Sequence, residues 1–327
     1  MKLALAGDTM LGRTVAERIG KTGPGSLFAD EVVAAAREAD LFVLNLECAI
    51  SERGERWPDP AKPFFFRAPP VAVDALAKLG VDCVTLANNH ALDYGADALA
   101  DTIRHLAQAG IATVGAGPDH VTARAPAVLE HDRTRVGVIG ITDHPAGYAA
   151  GPGHPGVAYA DLRRGTPDWL LDTTRGLDTD IVVVTPHWGP NMVAAPVPHV
   201  RRTANDLVDA GATVVAGHSA HVFHGAAGHV LFDLGDFIDD YVVHPELRND
   251  LGLLFLLTIT QHQPVRLEAV PLALDYCHTR LAAGDDRRWI AHRFRTACAA
   301  FDTKVTEQHG RLVIDWDSPV PQRESPG

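Results

Sequence analysis

Short apolar runs alternate with amphipathic stretches along most of the chain, and this alternation restricts its fold more than any other feature. We predict strands at residues 2–6, 41–46, 82–86, 112–114, 135–141, 180–185 and 212–216. We predict helices between them at residues 29–38, 71–79, 97–109, 164–175 and 199–210, and a final helix at residues 285–301. Strands that alternate with helices indicate an α/β fold in which much of the sheet is parallel.

The pattern changes after Gly225, where three apolar runs follow one another without a helix between them. Closely spaced runs of this kind are typical of antiparallel strands, so two layers of sheet are expected. The three runs lie at residues 230–234, 253–260 and 264–272.

No domain boundary is evident, so we predict one domain over residues 1–327, with its core in residues 1–275 and a C-terminal helix and tail in residues 276–327. Stretches rich in Pro and Gly indicate long surface loops at residues 57–70 and 146–156. The polar end PVPQRESPG is expected to be mobile.

The composition excludes several classes of protein. With 41 acidic and 29 basic side chains, the net charge is -12, which argues against a nucleic-acid-binding surface. The four cysteines are far apart and form no C-x-x-C motif, so neither a disulfide framework nor a cysteine zinc site is expected. The N-terminal run reaches Gly7-Asp8 too early for a signal peptide, and no later run is long enough to cross a bilayer. We therefore expect a cytoplasmic protein with no membrane partner.

The apolar strands share one further property, which is that each ends in polar residues of metal-binding type. In an open α/β sheet, ligands bind at the carboxyl ends of the strands, so these side chains are expected to converge. Carboxylate, amide and imidazole groups together suit a divalent metal ion. The residues at these ends are Asp8, Asn45, Glu47, Asn88, Asn89, His90, His187, His218 and His221.

Each of these residues also has a simpler explanation. Asp8 could cap a helix, and Asn89 and Asp93 could serve turns. A single buried histidine such as His187 is more often a hydrogen-bonded core residue than a ligand. It is the combination of five polar strand ends that favours a site.

The sequence resembles a known family. The ordered motifs GDTMLGR, LNLE, PFFFRAP, LANNHALDYG, TPHWG, GHSAH and LGDFIDD are similar to those of CapA-like proteins, which are named for capsule and poly-γ-glutamate biosynthesis. These proteins belong to the metallophosphatase (calcineurin-like) superfamily, and the resemblance runs from residue 2 to about residue 240. It implies a four-layer α/β/β/α sandwich of the metallo-dependent phosphatase type. It also implies metal ligands or close neighbours at Asp8, Glu47, Asn89, His187, His218 and His221.

The sequence departs from the patterns of these proteins at three positions, which are Met10, Glu47 and Asp236. Glu47 stands where metallophosphatases usually carry a bridging Asp in their second motif. Metallophosphatases usually open with Asp-x-His, whereas this chain has Asp8 and Met10, and a thioether is a poor ligand for a hard metal ion. Asp236 stands where CapA-like proteins usually have Asn, and its role is open. We therefore expect one strong site for one divalent ion, with Ca²⁺ or Mn²⁺ favoured and Zn²⁺ or Mg²⁺ also possible, and no organic cofactor.

His90 is the expected proton-transfer residue, since it follows the ligand-like Asn89. Asp93 lies three residues further on, where a carboxylate could fix the imidazole tautomer and raise its basicity. A second pair would come from one of several histidines and one of several aspartates. The candidate histidines are His187, His218 and His221, and the candidate partners are Asp8, Asp143 and Asp236.

Four further residues are expected to contact a substrate. Arg13 and Arg67 carry guanidinium groups suited to an anion, and Phe66 and Trp188 could line a pocket for an apolar side chain. Simpler roles, an ion pair for Arg13 and a core position for the Phe cluster, remain open.

Three reactions are compatible with this site. Phosphoester hydrolysis is common in the superfamily, but it usually uses two metal ions. Hydrolysis of a γ-glutamyl or other peptide amide follows from the CapA resemblance. The third, which we favour, is epimerisation, in which a metal-dependent isomerase inverts an α-carbon of a ribosomal (lasso) precursor peptide; one branch of the family is associated with lasso-peptide biosynthesis and forms a D-amino acid there. A peptide is accordingly the expected partner, and the sequence makes no prediction of oligomeric state.

Overall fold

The computed structural model describes residues 1–316, so the C-terminal PVPQRESPG segment lies outside the described residues. The α-helices are α1 (Arg13–Thr22), α2 (Asp30–Ala36), α3 (Val73–Leu79), α4 (Gly95–Gln108), α5 (His120–Arg124), α6 (Asp168–Gly176), α7 (Pro198–Asp209) and α8 (Gly284–Ala299). Short 3₁₀ helices lie at Pro24–Ser26, Pro70–Ala72 and Ala146–Tyr148.

The strands alternate with these helices in the first part of the chain and follow one another in the last part. The first ten are β1 (Lys2–Thr9), β2 (Leu41–Leu46), β3 (Ala49–Ile50), β4 (Arg67–Ala68), β5 (Cys83–Thr85), β6 (Ala112–Val114), β7 (Ala116–Gly117), β8 (Ala127–His131), β9 (Thr134–Thr142) and β10 (Gly156–Val157). The others are β11 (Ile181–His187), β12 (Val214–Ala216), β13 (Ala226–Ala227), β14 (Val230–Leu231), β15 (Asp236–Ile238), β16 (Leu251–Thr260), β17 (Gln263–Asp275), β18 (His278–Leu281), β19 (Thr306–Gln308) and β20 (Arg311–Asp315).

Two large sheets form the centre of the protein. The first has ten strands in the order β19-β20-β17-β16-β1-β2-β5-β6, with β15 beside β1 and β18 beside β17. Its β1, β2, β5 and β6 are parallel, whereas β16 pairs with β1 in the antiparallel direction. The second sheet has six strands in the order β13-β14-β12-β11-β9-β8.

Three buried apolar clusters hold these sheets and helices together. Alternate residues of β1 enter different clusters, Ala4 and Ala6 on the face that packs against α1 to α4, and Leu3 and Leu5 on the opposite face. The second face meets the inner face of the six-stranded sheet, including Val183 of β11, while the third cluster packs α6 and α7 on the outer face of that sheet. Because side chains alternate across a strand, this division explains why the LALA segment of β1 and the IVVV segment of β11 are apolar at consecutive positions.

The prediction of an α/β fold with parallel strands and later antiparallel strands is confirmed. The antiparallel direction predicted for the strand at residues 230–234 is wrong with respect to β12, because β14 is parallel to β12. It is antiparallel only to its short partner β13. Several segments were not predicted. They include the helices α1 and α5, the β19–β20 hairpin and the short strands β3, β4, β7, β8, β10, β13, β15 and β18. Within residues 1–316, none of the helices has the length and apolar character needed to cross a membrane.

Candidate metal centre

The polar strand ends of both sheets meet at one place. In the ten-stranded sheet, Asp8 of β1 is paired with Asn45 of β2 on one side and with Asp236 of β15 on the other. In the six-stranded sheet, His187 at the end of β11 forms a bridge to His218, just after β12. The strand register therefore places carboxylates from one sheet opposite imidazoles from the other.

Two glycines allow β1 and β15 to approach closely enough for this arrangement. A Cβ atom on Gly7 would lie 1.9 Å from the carbonyl oxygen of Gly235, so no larger residue fits without movement of the backbone. The amide of Asp8 donates to the same oxygen at 2.9 Å. Gly235 itself has a φ of 74°, which most other residues rarely adopt.

A chain of amides connects Asp8 to the segment after β5. Asn45 donates to Asp8 Oδ1 at 2.7 Å, and Asn88 donates to the side-chain oxygen of Asn45 at 2.9 Å. The side-chain oxygen of Asn88 in turn accepts the backbone N–H of His90 at 3.0 Å. Asn45 and Asn88 therefore position the site, since their amide groups are engaged within the protein.

Asp8 lies at the centre of the cluster. Its Oδ2 is 3.2 Å from Nδ1 of His221, and its Oδ1 is 3.7 Å from Nδ1 of His218 and 4.0 Å from Nδ1 of His187. The Nδ1 atoms of His187 and His218 are only 2.8 Å apart. Two sets of possible ligands share Asp8: one adds His187 and His218, the other adds His221 and Asp236, and within each set the ligand atoms lie within 4.8 Å of one another.

The donor atoms of this cluster fit a divalent metal ion. Several buried atoms have no hydrogen-bond partner among residues 1–316, which is costly for a carboxylate unless a cation neutralises it. These atoms are Asp8 Oδ2, both carboxylate oxygens of Glu47, Asn89 Oδ1, His218 Nε2 and Asp236 Oδ2. Oxygen and imidazole donors in one buried cluster match the ligand types of such ions. Met10 does not contribute, because its sulfur accepts the N–H of Gly12 at 3.0 Å.

His90 and Asp93 form a buried pair beside the cluster. Nδ1 of His90 is 2.6 Å from Asp93 Oδ2, and its Nε2 is 3.8 Å from Glu47 Oε1. The contact forms within a turn, since α4 begins only at Gly95. The ring of Phe66 stacks on the imidazole of His90 with 3.9 Å between the ring centres.

The carboxylate of Asp93 has four partners. Oδ2 also accepts the backbone N–H of Phe66 at 2.6 Å, while Oδ1 lies 2.9 Å from Nζ of Lys62 and accepts the hydroxyl of Tyr148 at 3.2 Å. Lys62 also donates to the backbone oxygen of Asn89 at 2.8 Å. These contacts hold the orientation of His90 and fasten the loop that carries Lys62 over the site.

A second imidazole–carboxylate pair lies on the other side of Asp8. Nδ1 of His221 is 2.9 Å from Asp236 Oδ1, and His221 has a φ of 59°, in the left-handed region that residues other than glycine seldom occupy. Such backbone conformations persist where surrounding contacts enforce them. The role of Asp236 was open in the sequence, and the structure shows His221 as its partner.

The histidines of the cluster differ in their preferred charge. Burial lowers the pKa of His90 to about 4 and that of His218 to about 4. Burial and the neighbouring His218 lower the pKa of His187 well below its ordinary value, so these three rings are neutral. Burial acts in the same direction on His221, but the charges of Asp236 and Glu47 outweigh it and raise its pKa well above the ordinary value.

The carboxylates are also perturbed. Burial raises the pKa of Glu47 well above its usual range, and the charge of Asp8 adds to the rise. Burial likewise raises the pKa of Asp236, although His221 partly opposes it. Burial also acts on Asp8, but its contacts with His221 and His218 outweigh that effect, so its pKa is lowered. Several strongly shifted pKa values within one buried cluster are typical of a functional site.

Of the expected substrate-binding residues, Phe66 lies beside the His90 imidazole and Arg13 lies beside Phe66, whereas the other two make contacts elsewhere. Phe66 contacts His90, and Arg13 lies over the Phe66 ring at 5.0 Å while donating to Asp240. Arg67 instead stacks on Tyr94 at 4.0 Å and donates to the backbone of the neighbouring loop. Trp188 is a core residue, only 2% exposed, whose indole N–H donates to Phe232 O at 2.9 Å. Its ring packs in the apolar cluster between the six-stranded sheet and its helices, and a contact between Trp188 and a substrate stays a prediction.

Asp143, a candidate partner for the second pair, contacts other histidines. Its carboxylate lies 2.5 Å from Nδ1 of His144 and 3.1 Å from Nε2 of His199, and it accepts the N–H of Gly189 at 3.0 Å. The ring of His144 lies 5.1 Å from that of His187, between ring centres. Lys62, Tyr148 and Tyr241 were also absent from the predicted site, since none of them follows an apolar strand.

The sequence matches the bacterial capsule synthesis protein family PGA_cap over residues 2–241. It is 32% identical over 297 residues to the probable polyglutamine synthesis accessory protein of Mycobacterium tuberculosis. This alignment covers 84% of this chain and 76% of that protein. It is 30% identical over 253 residues to the capsule biosynthesis protein CapA of Bacillus anthracis, which covers 73% of this chain and 60% of that protein. The expected likeness to CapA-like proteins is confirmed.

One solved structure also resembles this fold. A hypothetical protein from Thermus thermophilus aligns with a TM-score of 0.50 and 15% sequence identity, over 84% of this chain and 100% of that one. At this level of identity, the match concerns the fold alone.

Proposed function

The chain belongs to the PGA_cap family of bacterial capsule synthesis proteins, and from this membership we propose that it is a metal-dependent enzyme that transfers protons on a peptide substrate. We propose in addition that its fold is the four-layer α/β/β/α sandwich of the metallo-dependent phosphatases. The three apolar clusters, which separate helices, sheet, sheet and helices, support this fold type.

The proposed ligands of a single divalent ion are Asp8, His187 and His218. The side-chain oxygens of Glu47 and Asn89, which are buried without a hydrogen-bond partner in the described residues, are the further candidates. Mixed oxygen and nitrogen donors favour Mn²⁺ or Ca²⁺, with Zn²⁺ and Mg²⁺ as alternatives. When bound, the ion would supply positive charge that stabilises a developing negative charge on the substrate. His221 then remains available for proton transfer.

The observation that carries the proposal is the presence of two imidazole–carboxylate pairs at one cluster. His90 with Asp93 at 2.6 Å and His221 with Asp236 at 2.9 Å come from different segments of the chain. In an epimerase, one pair takes the α-proton of a peptide residue and the other returns a proton to the opposite face. The α-carbon is inverted, and no bond of the peptide backbone is broken.

The test is an exchange experiment in heavy water. The purified protein is incubated with each of the four divalent ions, or with chelator, and with ribosomal precursor peptides or short γ-glutamyl peptides, and mass and chirality are followed. We expect metal-dependent gain of one deuteron at an α-carbon together with a D-residue. His90→Gln should abolish the gain, because general acid–base groups contribute about 10²–10⁴-fold in rate.

His262→Gln is the matched control. His262 also lies beside a carboxylate, 3.6 Å from Asp180, but its side chain is 55% exposed and outside the cluster. Exchange that persists in chelator or in His90→Gln, or turnover without a D-residue, contradicts the epimerase.

A second candidate is a metal-dependent hydrolase acting on a phosphoester or on a γ-glutamyl or peptide amide. The observation that favours it is the sharing of Asp8 between two sets of ligands, as in sites where two ions clamp the attacking and leaving oxygens. Cleavage of the peptides, or turnover of p-nitrophenyl phosphate, with two ions bound per chain would establish this function instead.

A further inference from the structure

The hydroxyl of Tyr241 is buried and has no hydrogen-bond partner among residues 1–316. Tyr148 provides a contrast, since its hydroxyl donates to Asp93 at 3.2 Å. A buried donor without a partner costs about 1–3 kcal/mol, so a protein retains one chiefly where a ligand completes the bond. The position of the Tyr241 ring shows where such a ligand would lie.

The Tyr241 ring lies between the two acid/base pairs. It meets the imidazole of His221 edge to face, with 5.2 Å between ring centres and an angle of 82°. It also contacts Phe66 at 5.8 Å, and Phe66 stacks on His90. The phenol is therefore in contact with one imidazole and one residue away from the other.

The backbone holds this ring in place. The N–H of Tyr241 donates to Asp239 Oδ1 at 2.9 Å, and the preceding Asp240 accepts the guanidinium of Arg13. The guanidinium of Arg13 also lies over the Tyr241 ring, 5.5 Å from its centre. The hydroxyl is thus preorganised, which is the condition under which a donor stabilises a transient charge most strongly.

The hydroxyl is suited to donate a hydrogen bond. A phenol has an ordinary pKa of about 10, so it keeps its proton at neutral pH and acts as a donor rather than a base.

We infer that Tyr241 is a further catalytic residue, whose hydroxyl donates a hydrogen bond to the substrate oxygen that becomes negative during the reaction. This inference rests on the proposed function. In epimerisation, the C–H electron pair moves onto the peptide carbonyl as His90 takes the proton, and Tyr241 stabilises the resulting enolate oxygen without transferring its own proton. In hydrolysis, the same hydroxyl stabilises the oxyanion formed at the attacked carbonyl or phosphoryl group.

The test compares Tyr241→Phe with wild type in the manganese-loaded protein. We expect kcat to fall about 100-fold with little change in KM, as for loss of one oxyanion donor. The second readout is the affinity for inorganic phosphate, measured by calorimetry, which needs no turnover. We expect it to weaken about tenfold, the equivalent of one charge-assisted hydrogen bond.

Two matched variants complete the design. Tyr148→Phe removes a hydroxyl that already has a partner and should lower Tm, whereas Tyr241→Phe should leave Tm unchanged or raise it. Tyr276→Phe, at a residue that is 62% exposed, should change neither kcat nor phosphate affinity.

The inference is overturned if Tyr241→Phe binds phosphate with an affinity within about twofold of wild type. A lower Tm of this variant together with retained phosphate affinity would likewise show a structural role for the hydroxyl. If the wild-type protein turns over neither peptides nor p-nitrophenyl phosphate, the proposed function fails. The phosphate measurement then decides the role of Tyr241 by itself.

Discussion

At the scale of single residues, partners in space distinguish side chains that look alike in the sequence. Asn88 and Asn89 are adjacent amides, yet Asn88 is engaged by Asn45 and the backbone, whereas Asn89 Oδ1 has no partner in the described part of the chain. Residues that follow an apolar strand could therefore be predicted as members of a site, but their separate roles could not.

Lys62 and Tyr148 could not be predicted at all. Tyr148 reaches Asp93 across 55 residues of sequence, and Lys62 stands in a Pro-rich loop with no periodicity. Both were missed because the contact depends on how loops return to the site, and loop paths leave no regular pattern in the sequence.

His224 gives a prediction at this scale. Burial lowers its pKa to about 4 despite its contact with the backbone oxygen of Val193. The unfolded chain therefore binds the proton more readily between pH 6.5 and pH 4, and the folded state loses stability as the pH falls through that window. We expect His224→Gln to remove about 1.4 kcal/mol per pH unit of this dependence, measured by urea unfolding of the metal-free protein.

The control for this measurement is His262→Gln, at a histidine whose side chain is 55% exposed. Equal slopes for wild type and His224→Gln would show that His224 titrates in the folded protein as it does in the unfolded chain.

At the scale of elements, the sequence predicted most strands of the two large sheets, some with the observed bounds, such as Leu41–Leu46 and Ala112–Val114. The prediction was wrong for the direction of β14, because direction depends on which strand lies beside it and not on its own residues. The β19–β20 hairpin was missed since its TEQ and RLVID segments mix charged and apolar residues and lie next to a helix.

The close approach of β1 and β15 gives a prediction at this scale. Gly7→Ala should destabilise the protein by about 1–3 kcal/mol and weaken metal binding, because the new methyl group would displace either Gly235 or the neighbouring Asp8. Chemical unfolding and metal titration measure the two effects.

Gly20→Ala is the matched control. Gly20 lies inside α1 with no atom within 4 Å of the added Cβ, so the same change should stabilise the protein by up to about 1 kcal/mol. If Gly7→Ala matched Gly20→Ala in both measurements, close strand contact would not be required for the site.

At the scale of the whole molecule, the proposed ion links two sheets. Asp8 belongs to the ten-stranded sheet, and His187 ends β11 of the six-stranded sheet. The proposed ligand set takes side chains from both sheets, so the site could be predicted only as a convergence of strand ends. The pairing of β1 with β16 was not predictable, since nothing near residue 2 specifies a partner at residue 258.

Metal binding should therefore stabilise the folded protein as a whole. Mn²⁺ at about 100 times its Kd should add about 2.7 kcal/mol to the free energy of unfolding, and chelator should remove it. In His218→Asn we expect most of this gain to disappear, whereas His262→Gln should retain it, as measured by thermal unfolding with and without the ion. Equal stabilisation of both variants would place the ion elsewhere.

The central position of β1 also has a consequence for synthesis on the ribosome. β1 leaves the exit tunnel well before its neighbours β15 and β16, which comprise residues 236–238 and 251–260. A nascent chain that stops before residue 251 already contains Asp8, Glu47 and the four histidines His90, His187, His218 and His221, but one side of β1 is open. Until translation passes that point, the apolar LALA segment is exposed to association with other chains, and full-length synthesis is a condition for a complete site.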